Sequence, residues 1–311
     1  LNVQILPSDT LPFVSREADS RRRAGARTGR RGPREAAGRA FLPARKRWGQ
    51  HFLASAQTAD RIVDAARVGR GDTVVEVGPG DGALTRPLLA RGARVLAIEI
   101  DPARAEALRG ELGTGSGAVI LAGDALERSF ADWLAAAGWE GPAILVANLP
   151  YNVATPILTR AIEEPRAVAR VVATVQREVA RRVAAVAGDD EYGFLSVRAA
   201  ASASATILFD IPPGAFRPRP KVVSSVLALM PRDPPLDPLL KRRALEIASL
   251  GFRNRRKTLG NALAALGPRE AWERELRAMG RGEKSRAEEL SLPDFLELAR
   301  RLPAGGSEGA P

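Results

Sequence analysis

Asn148-Leu149-Pro150-Tyr151, just beyond the apolar run Ala143 to Ala147, has the residue types needed to handle a poor nucleophile, the exocyclic amine of a nucleobase. The lone pair of an adenine N6 is delocalised into the ring. A site that methylates it must therefore hold both N–H bonds with acceptors that favour a more tetrahedral nitrogen. The Asn148 amide oxygen and the Leu149 carbonyl are the candidate acceptors. Pro150 fixes its own φ and biases Leu149 toward an extended backbone, which would turn that carbonyl into a pocket, and Tyr151 offers a flat face for a base. The same four residues also suit an ordinary strand-ending turn with a buried Tyr, so the motif needs support from elsewhere in the chain.

That support lies upstream, in Thr73-Val74-Val75-Glu76-Val77-Gly78-Pro79-Gly80-Asp81-Gly82. A short β-branched run feeds a glycine turn, and Ala83 to Ala90 then resumes as a helix. Gly78 and Gly80 mark a nucleotide-type cofactor loop. Its spacing is G-x-G-x-G and not the G-x-G-x-x-G that seats a pyrophosphate, and Glu76 and Asp81 place acid beside it. A phosphate-poor cationic cofactor, S-adenosylmethionine, fits that loop better than NAD.

Glu99 ends the next apolar run, 19 residues past Gly80. There a carboxylate can accept both hydroxyls of a ribose. Asp101-Pro102 reads as an N-cap with Pro at the first helical position, so Asp101 can be purely a cap. After the run Val119 to Ala122, Asp124 with the adjacent Ala125 N–H either accepts from an adenine amine and donates to a ring nitrogen, or caps a helix.

Taken together, the chain from about Lys46 to Leu302 resembles the bacterial small-subunit ribosomal RNA adenine N6-dimethyltransferase family, the kasugamycin-sensitivity type. The resemblance rests on Gly49-Gln50-His51-Phe52-Leu53, the Gly78-Pro79-Gly80 loop, Asn148-Leu149-Pro150-Tyr151-Asn152, Gln176-Arg177-Glu178-Val179 and Tyr192-Gly193-Phe194-Leu195-Ser196-Val197. Phe216-Arg217-Pro218-Arg219-Pro220-Lys221-Val222 and Arg255-Arg256-Lys257-Thr258-Leu259 complete it. It implies that His51, Leu53, Gly78, Glu99, Asp124 and Asn148 line an S-adenosylmethionine site, with Tyr151 and Phe216 stacking on the extruded adenine. It further implies dimethylation of two adjacent adenines in the 3′-terminal hairpin of 16S rRNA, within a pre-30S particle. The family often has Asn where this chain has His51, which is then either a cofactor-side donor or a plain exposed ring. The macrolide-resistance enzymes that modify 23S rRNA share several of these motifs, but the segments at Tyr192 and Arg255 resemble the small-subunit enzymes. A non-catalytic RNA-binding assembly factor on the same fold is the other alternative.

Composition narrows the chemistry. The 311 residues contain no Cys and one His, which excludes Cys-nucleophile pyrimidine methylases, iron–sulfur radical methylases and zinc deaminases, and leaves no basis for expecting a metal. No run approaches the ~18 apolar residues of a membrane span. Of the net charge of +11, residues 1 to 50 carry most, with 12 Arg and Lys against 4 Asp and Glu. Residues 1–44 lack apolar periodicity and are expected to be a disordered basic extension dispensable for catalysis. An RNA-attracting arm, a targeting peptide and translation from upstream of the true start are the competing explanations. In the remainder, Arg217, Arg219 and Lys221 flank Phe216 in a Pro-rich loop. Arg253, Arg255, Arg256 and Lys257 open a predicted helix running to Ala265. Both clusters are expected to contact RNA backbone.

The elements that must position these groups follow from periodicity. A helix is predicted over Ala56 to Arg67, and strands near 73–77, 94–99, 119–122, 143–147 and 168–175. Thr155-Pro156 is expected to cap a further helix. Ile207 to Phe209 and Val222 to Leu229 are expected to form a closing strand pair. That alternation predicts an α/β fold, a doubly wound, mostly parallel Rossmann-like methyltransferase sheet with a small C-terminal all-helical domain. The expected domains are a catalytic one over 45–232 and an rRNA-docking helical one over 233–302, with a frayed tail over 303–311. A cytoplasmic monomer is expected.

Overall fold

The computed structural model describes residues 50–301, so the extension expected over 1–44, Gly49 and the tail expected over 303–311 lie outside the described residues. In chain order the elements are β1 (Phe52–Leu53), α1 (Ala56–Ala65), β2 (Thr73–Val77), α2 (Thr85–Ala90), β3 (Arg94–Glu99), α3 (Pro102–Leu112), β4 (Ala118–Ala122), α4 (Phe130–Ala136), β5 (Ala143–Asn148) and α5 (Ala154–Glu163). They continue with β6 (Val168–Gln176), α6 (Arg177–Ala184), α7 (Phe194–Ala200), β7 (Ala203–Ile211), β8 (Phe216–Arg217), β9 (Ser224–Pro231), α8 (Pro238–Arg253), α9 (Leu259–Ala262), α10 (Arg269–Ala278) and α11 (Leu292–Arg301).

Seven strands form one sheet in the order β4-β3-β2-β5-β6-β9-β7. The pairs from β4 through β6 are parallel, and β9 runs antiparallel to both β6 and β7. The central strands are apolar on both sides because helices cover both faces. Val75, Val77, Leu96, Ile98, Leu145 and Ala147 enter one core layer, and Val74, Val95, Ala97, Ile144 and Val146 enter the other. Chain order reverses between β2 and β5. In an open α/β sheet that reversal leaves a crevice at the carboxyl ends of the two strands, where ligands bind. Gly78 follows β2 and Asn148 ends β5, so both motifs meet there.

Local signals set several helix starts. The Asp101 side chain accepts from the Ala103 N–H with Pro102 at the first helical position, and Asp237 with Pro238 does the same for α8 through the Leu240 N–H. Two expectations are corrected. Helix α5 begins at Ala154 with Val153 as an N-cap that makes no side-chain bond. Thr155 and Pro156 therefore sit inside its first turn, where a missing N–H costs nothing. The predicted helix from Arg253 to Ala265 is not formed. Arg253 ends the long α8, Arg255 to Lys257 lie in a turn, and α9 is four residues long. Near the end of α8, Gly251 packs tightly: a Cβ on it would stand 2.8 Å from both Ala287 and Leu259.

The C-terminal helices share their core with the sheet-bearing part of the chain. Tyr192, Val197 and Ala201 pack among Ile247, Leu276 and Phe295, and the Tyr192 hydroxyl donates to the Leu290 carbonyl at 2.8 Å. The Tyr192–Val197 segment is thus a structural joint between the sheet-bearing part and the C-terminal helices.

Candidate functional site

A pocket opens at the carboxyl ends of β2, β3, β4 and β5, lined among others by Gly78, Glu99, Ile100, Asp124, Asn148 and Tyr151. Glu99 is the last residue of β3 and is 2% exposed. One of its carboxylate oxygens accepts the Gly80 N–H and the other the Asp101 N–H, each at 3.0 Å. Burial raises its pKa, and these two bonds oppose the rise by favouring the anion. The Gly80 amide is therefore engaged by the protein's own carboxylate, which suits this loop poorly for an anionic phosphate.

The two other acids near the loop are not exposed charges. Glu76 is buried beneath it and accepts from the Thr85 hydroxyl at 2.6 Å, and burial pushes its carboxyl up to about 8, so it is neutral at pH 7. Asp81 is ion-paired with Arg104 at 2.6 Å. Of the acids expected beside the loop and strand ends, Glu99 and Asp124 line the pocket, and Glu76 and Asp81 do not. Asp124 accepts the Leu126 N–H at 2.9 Å, closing an Asx turn, and the helix that follows starts only at Phe130 with Ser129 as its cap. The N-cap reading of Asp124 thus fails. Gly123 brings this turn close to α4, since a Cβ on it would stand 2.6 Å from the Trp133 ring.

Asn148 ends β5 and its amide is oriented by the chain. Its Nδ2 donates to the His51 carbonyl at 2.7 Å, and because that carbonyl can only accept, the amide nitrogen must face it. Oδ1 is thereby the atom left to accept. His51 also donates through Nδ1 to the Pro218 carbonyl at 2.7 Å, and its ring stacks on Tyr151 with centroids 5.3 Å apart. His51 is accordingly a bonded member of the pocket wall, not a plain exposed ring. The Tyr151 hydroxyl is 2.6 Å from that of Ser224. Pro150 lies across from Gly78, at 3.8 Å from where a Cβ would be.

Other expected site residues lie elsewhere. Phe216 is 2% exposed in the core, so it does not present a ring for stacking. The reason is strand alternation: β8 pairs with β1, Phe216 opposite Leu53, and on a strand consecutive side chains face opposite sides, so Phe216 turns inward as Arg217 turns out. Leu53 is likewise in that core and Gly80 lies beneath Phe52; the pocket lining includes neither. Ala125 does line it. Arg217, Arg219 and Lys221 stand exposed, as do Arg253, Arg255, Arg256 and Lys257 at and after the end of α8, with Arg255 paired to Glu288 at 2.7 Å; none of them is in the pocket lining. Sequence reasoning missed Gln50, Phe52, Ile100, Gly123 and Ile157, which line the pocket. Ile100, 38% exposed at a strand end, is the one with a usable signal: an apolar side chain at a ligand rim.

A doubly wound sheet with its pocket at the β2/β5 switch point, a glycine loop and a strand-end carboxylate is the Rossmann-like methyltransferase architecture. Residues 42–303 match the family model described as ribosomal RNA adenine dimethylase, and the chain belongs to that family. A curated relative from Caulobacter vibrioides, "Ribosomal RNA small subunit methyltransferase A", is 42% identical over 266 residues, covering 85% of this chain and 100% of the relative. Among solved structures, a dimethyladenosine transferase from Plasmodium falciparum superposes with a TM-score of 0.67 at 24% identity, over 80% of this chain and 96% of that one. The 23S rRNA methyltransferase ErmE gives 0.63 at 27% identity, over 81% and 99%.

Proposed function

We infer that the protein is an S-adenosylmethionine-dependent methyltransferase that dimethylates adenine N6 in small-subunit ribosomal RNA, acting in ribosome biogenesis. The observation that carries this reading is the pocket's composition. It brings Glu99, Asp124 and the Asn148–Tyr151 motif into one wall, and no Lys or Arg is among its lining residues. A pocket with carboxylates and no cation suits a cofactor bearing an ammonium and a sulfonium and no phosphate. Glu99 would hold the ribose hydroxyls, Ile100 the purine face, and the Asp124 to Ala125 turn the purine edge. When bound, S-adenosylmethionine supplies an electrophilic methyl group on sulfur.

The protein's own part is to seat and polarise the amine. Tyr151 offers the stacking face. Asn148 Oδ1 and the Leu149 carbonyl accept from the N6 hydrogens, and these bonds strengthen as positive charge develops on nitrogen. Exposed Arg217, Arg219, Lys221, Arg253, Arg256 and Lys257 attract RNA backbone without reading sequence. The substrate is the pair of adjacent adenines in the 3′-terminal hairpin, presented by a pre-30S particle to a cytoplasmic monomer. Among the described residues no helix is long and apolar enough to cross a membrane. The fold is shared with the 23S rRNA methyltransferase ErmE, so it does not by itself choose the substrate; the 42% identity to the small-subunit relative favours small-subunit RNA.

The test is transfer of labelled methyl to small-subunit particles and, in parallel, to 23S RNA, with nucleosides identified by mass spectrometry. Dimethyladenosine is expected in the small-subunit hairpin alone; label confined to 23S RNA overturns the substrate. Asn148→Ala is expected to reduce turnover by roughly 10²-fold or more while cofactor binding persists, since it removes an acceptor aimed at developing charge.

A further inference from the structure

Arg104 is the third residue of α3 and is 1% exposed. That is a costly place for it. Removing a guanidinium from water is expensive, and the first turn of a helix is the end that repels a cation. Its Nη1 lies 2.6 Å from Asp81 in the glycine loop, its Nε 4.0 Å from Asp101, and its guanidinium carbon 4.3 Å from the centroid of the Phe52 ring. Arg is suited to this where Lys is not, because its planar group can stack on a ring while its edge pairs with a carboxylate.

The Phe52 ring is itself pressed against the loop. A Cβ at Gly80 would stand 2.7 Å from two of its ring carbons, so this approach requires glycine there, and Gly80 has a φ of +54° as well. The residue before Phe52 is His51, whose carbonyl fixes the Asn148 amide at 2.7 Å. A continuous chain of contacts therefore runs from Asp81 through Arg104, Phe52 and His51 to Asn148. A flipped Asn148 amide would aim N–H groups at the substrate's own N–H groups.

We propose that Arg104 is a positioning residue: anchored to the glycine loop through Asp81, it holds the Phe52 ring over Gly80 and so sets the His51 carbonyl that orients Asn148 toward the amine. This rests on reading the pocket as the methyl-transfer site. Arg104 touches neither substrate nor reacting atoms in this assignment. Its loss acts on turnover through geometry, where a displacement on the order of 1 Å costs about 10²-fold.

The experiment compares Arg104→Lys, Phe52→Leu, the double variant and Asn148→Ala, by steady-state transfer to small-subunit particles, calorimetric S-adenosylmethionine binding and thermal melting. Arg104→Lys and Phe52→Leu are each expected to lower kcat about 10-fold with the KM for particles unchanged. The double variant should be no worse than the poorer single one, because residues in one chain of contacts are not additive. Turnover within twofold of wild type in the folded single variants, or additive losses in the double, overturns the proposal. Should Arg104→Lys fail to fold, an unchanged kcat in folded Phe52→Leu overturns it equally. Asn148→Ala separates the two layers: if it retains turnover the site itself is misassigned, and if it alone loses turnover only the positioning role fails.

Discussion

The pocket and the exposed basic segments that we assign to RNA are built on different principles. On the cofactor side, polar groups are held by the protein's own backbone: Glu99 by the Gly80 and Asp101 amides, Asn148 by the His51 carbonyl, Asp124 by the Leu126 amide. On the proposed RNA side, outside the pocket lining, Arg217, Arg219 and Lys221 stand in solvent in and just after β8, and Arg256 and Lys257 in the turn that follows α8. A small, charged cofactor must be oriented to fractions of an ångström, which favours preorganised dipoles. A polyanion needs only enough positive charge nearby, and exposed side chains supply that at little structural cost.

If that contrast holds, single changes on the cofactor side should be severe. Glu99→Ala removes the diol acceptor and leaves two buried amides unpaired, so S-adenosylmethionine affinity measured by calorimetry should fall about 10²-fold or more. A loss under threefold would break the comparison.

Glu76, buried beneath the glycine loop and outside the pocket lining, acts through stability. A carboxyl raised from 4.5 to about 8 favours the protonated folded state, so the stability it confers is present at acid pH and is lost as pH rises from near 4.5 through 8. Glu76→Gln keeps a neutral acceptor for Thr85. It should flatten that dependence and exceed wild type by on the order of a few kcal/mol at pH 9, read from denaturant midpoints. An unchanged pH profile would mean Glu76 is not buried as the acid.

The smallest effects belong on the RNA side. Arg256→Ala with Lys257→Ala should weaken particle binding only about severalfold at physiological salt and reduce the salt slope by about two, with kcat at saturation unaltered. A loss of kcat would show that these residues also set geometry, and the contrast between the two sides would blur.

Much of the sheet is legible in the chain because β2 through β6 are short apolar runs bounded by glycines, acids and prolines, and each run coincides with its strand to within a residue or two. The strand-end residues Glu99 and Asn148 are legible for the same reason, since a parallel strand delivers its last residue to the crevice. Phe216 was misjudged because a Pro-rich segment gives no sign that β1 will pair with it and turn its ring inward. The helix expected from Arg253 was misplaced because helical periodicity does not reveal that α8 runs on to Arg253 and that a turn follows it.

Residue order alone determined the class of fold and brought the Gly78 loop, Glu99 and the Asn148 motif to strand ends, because these depend on spacing within single strand-turn units. Tertiary structure decided that Glu76 is held neutral, which way Asn148 faces, and that a buried arginine joins Asp81 of the glycine loop to the Phe52 ring. Those properties depend on burial and on partners remote in sequence: Glu76 becomes neutral only under packed helices, and His51 meets Asn148 across 97 positions of chain.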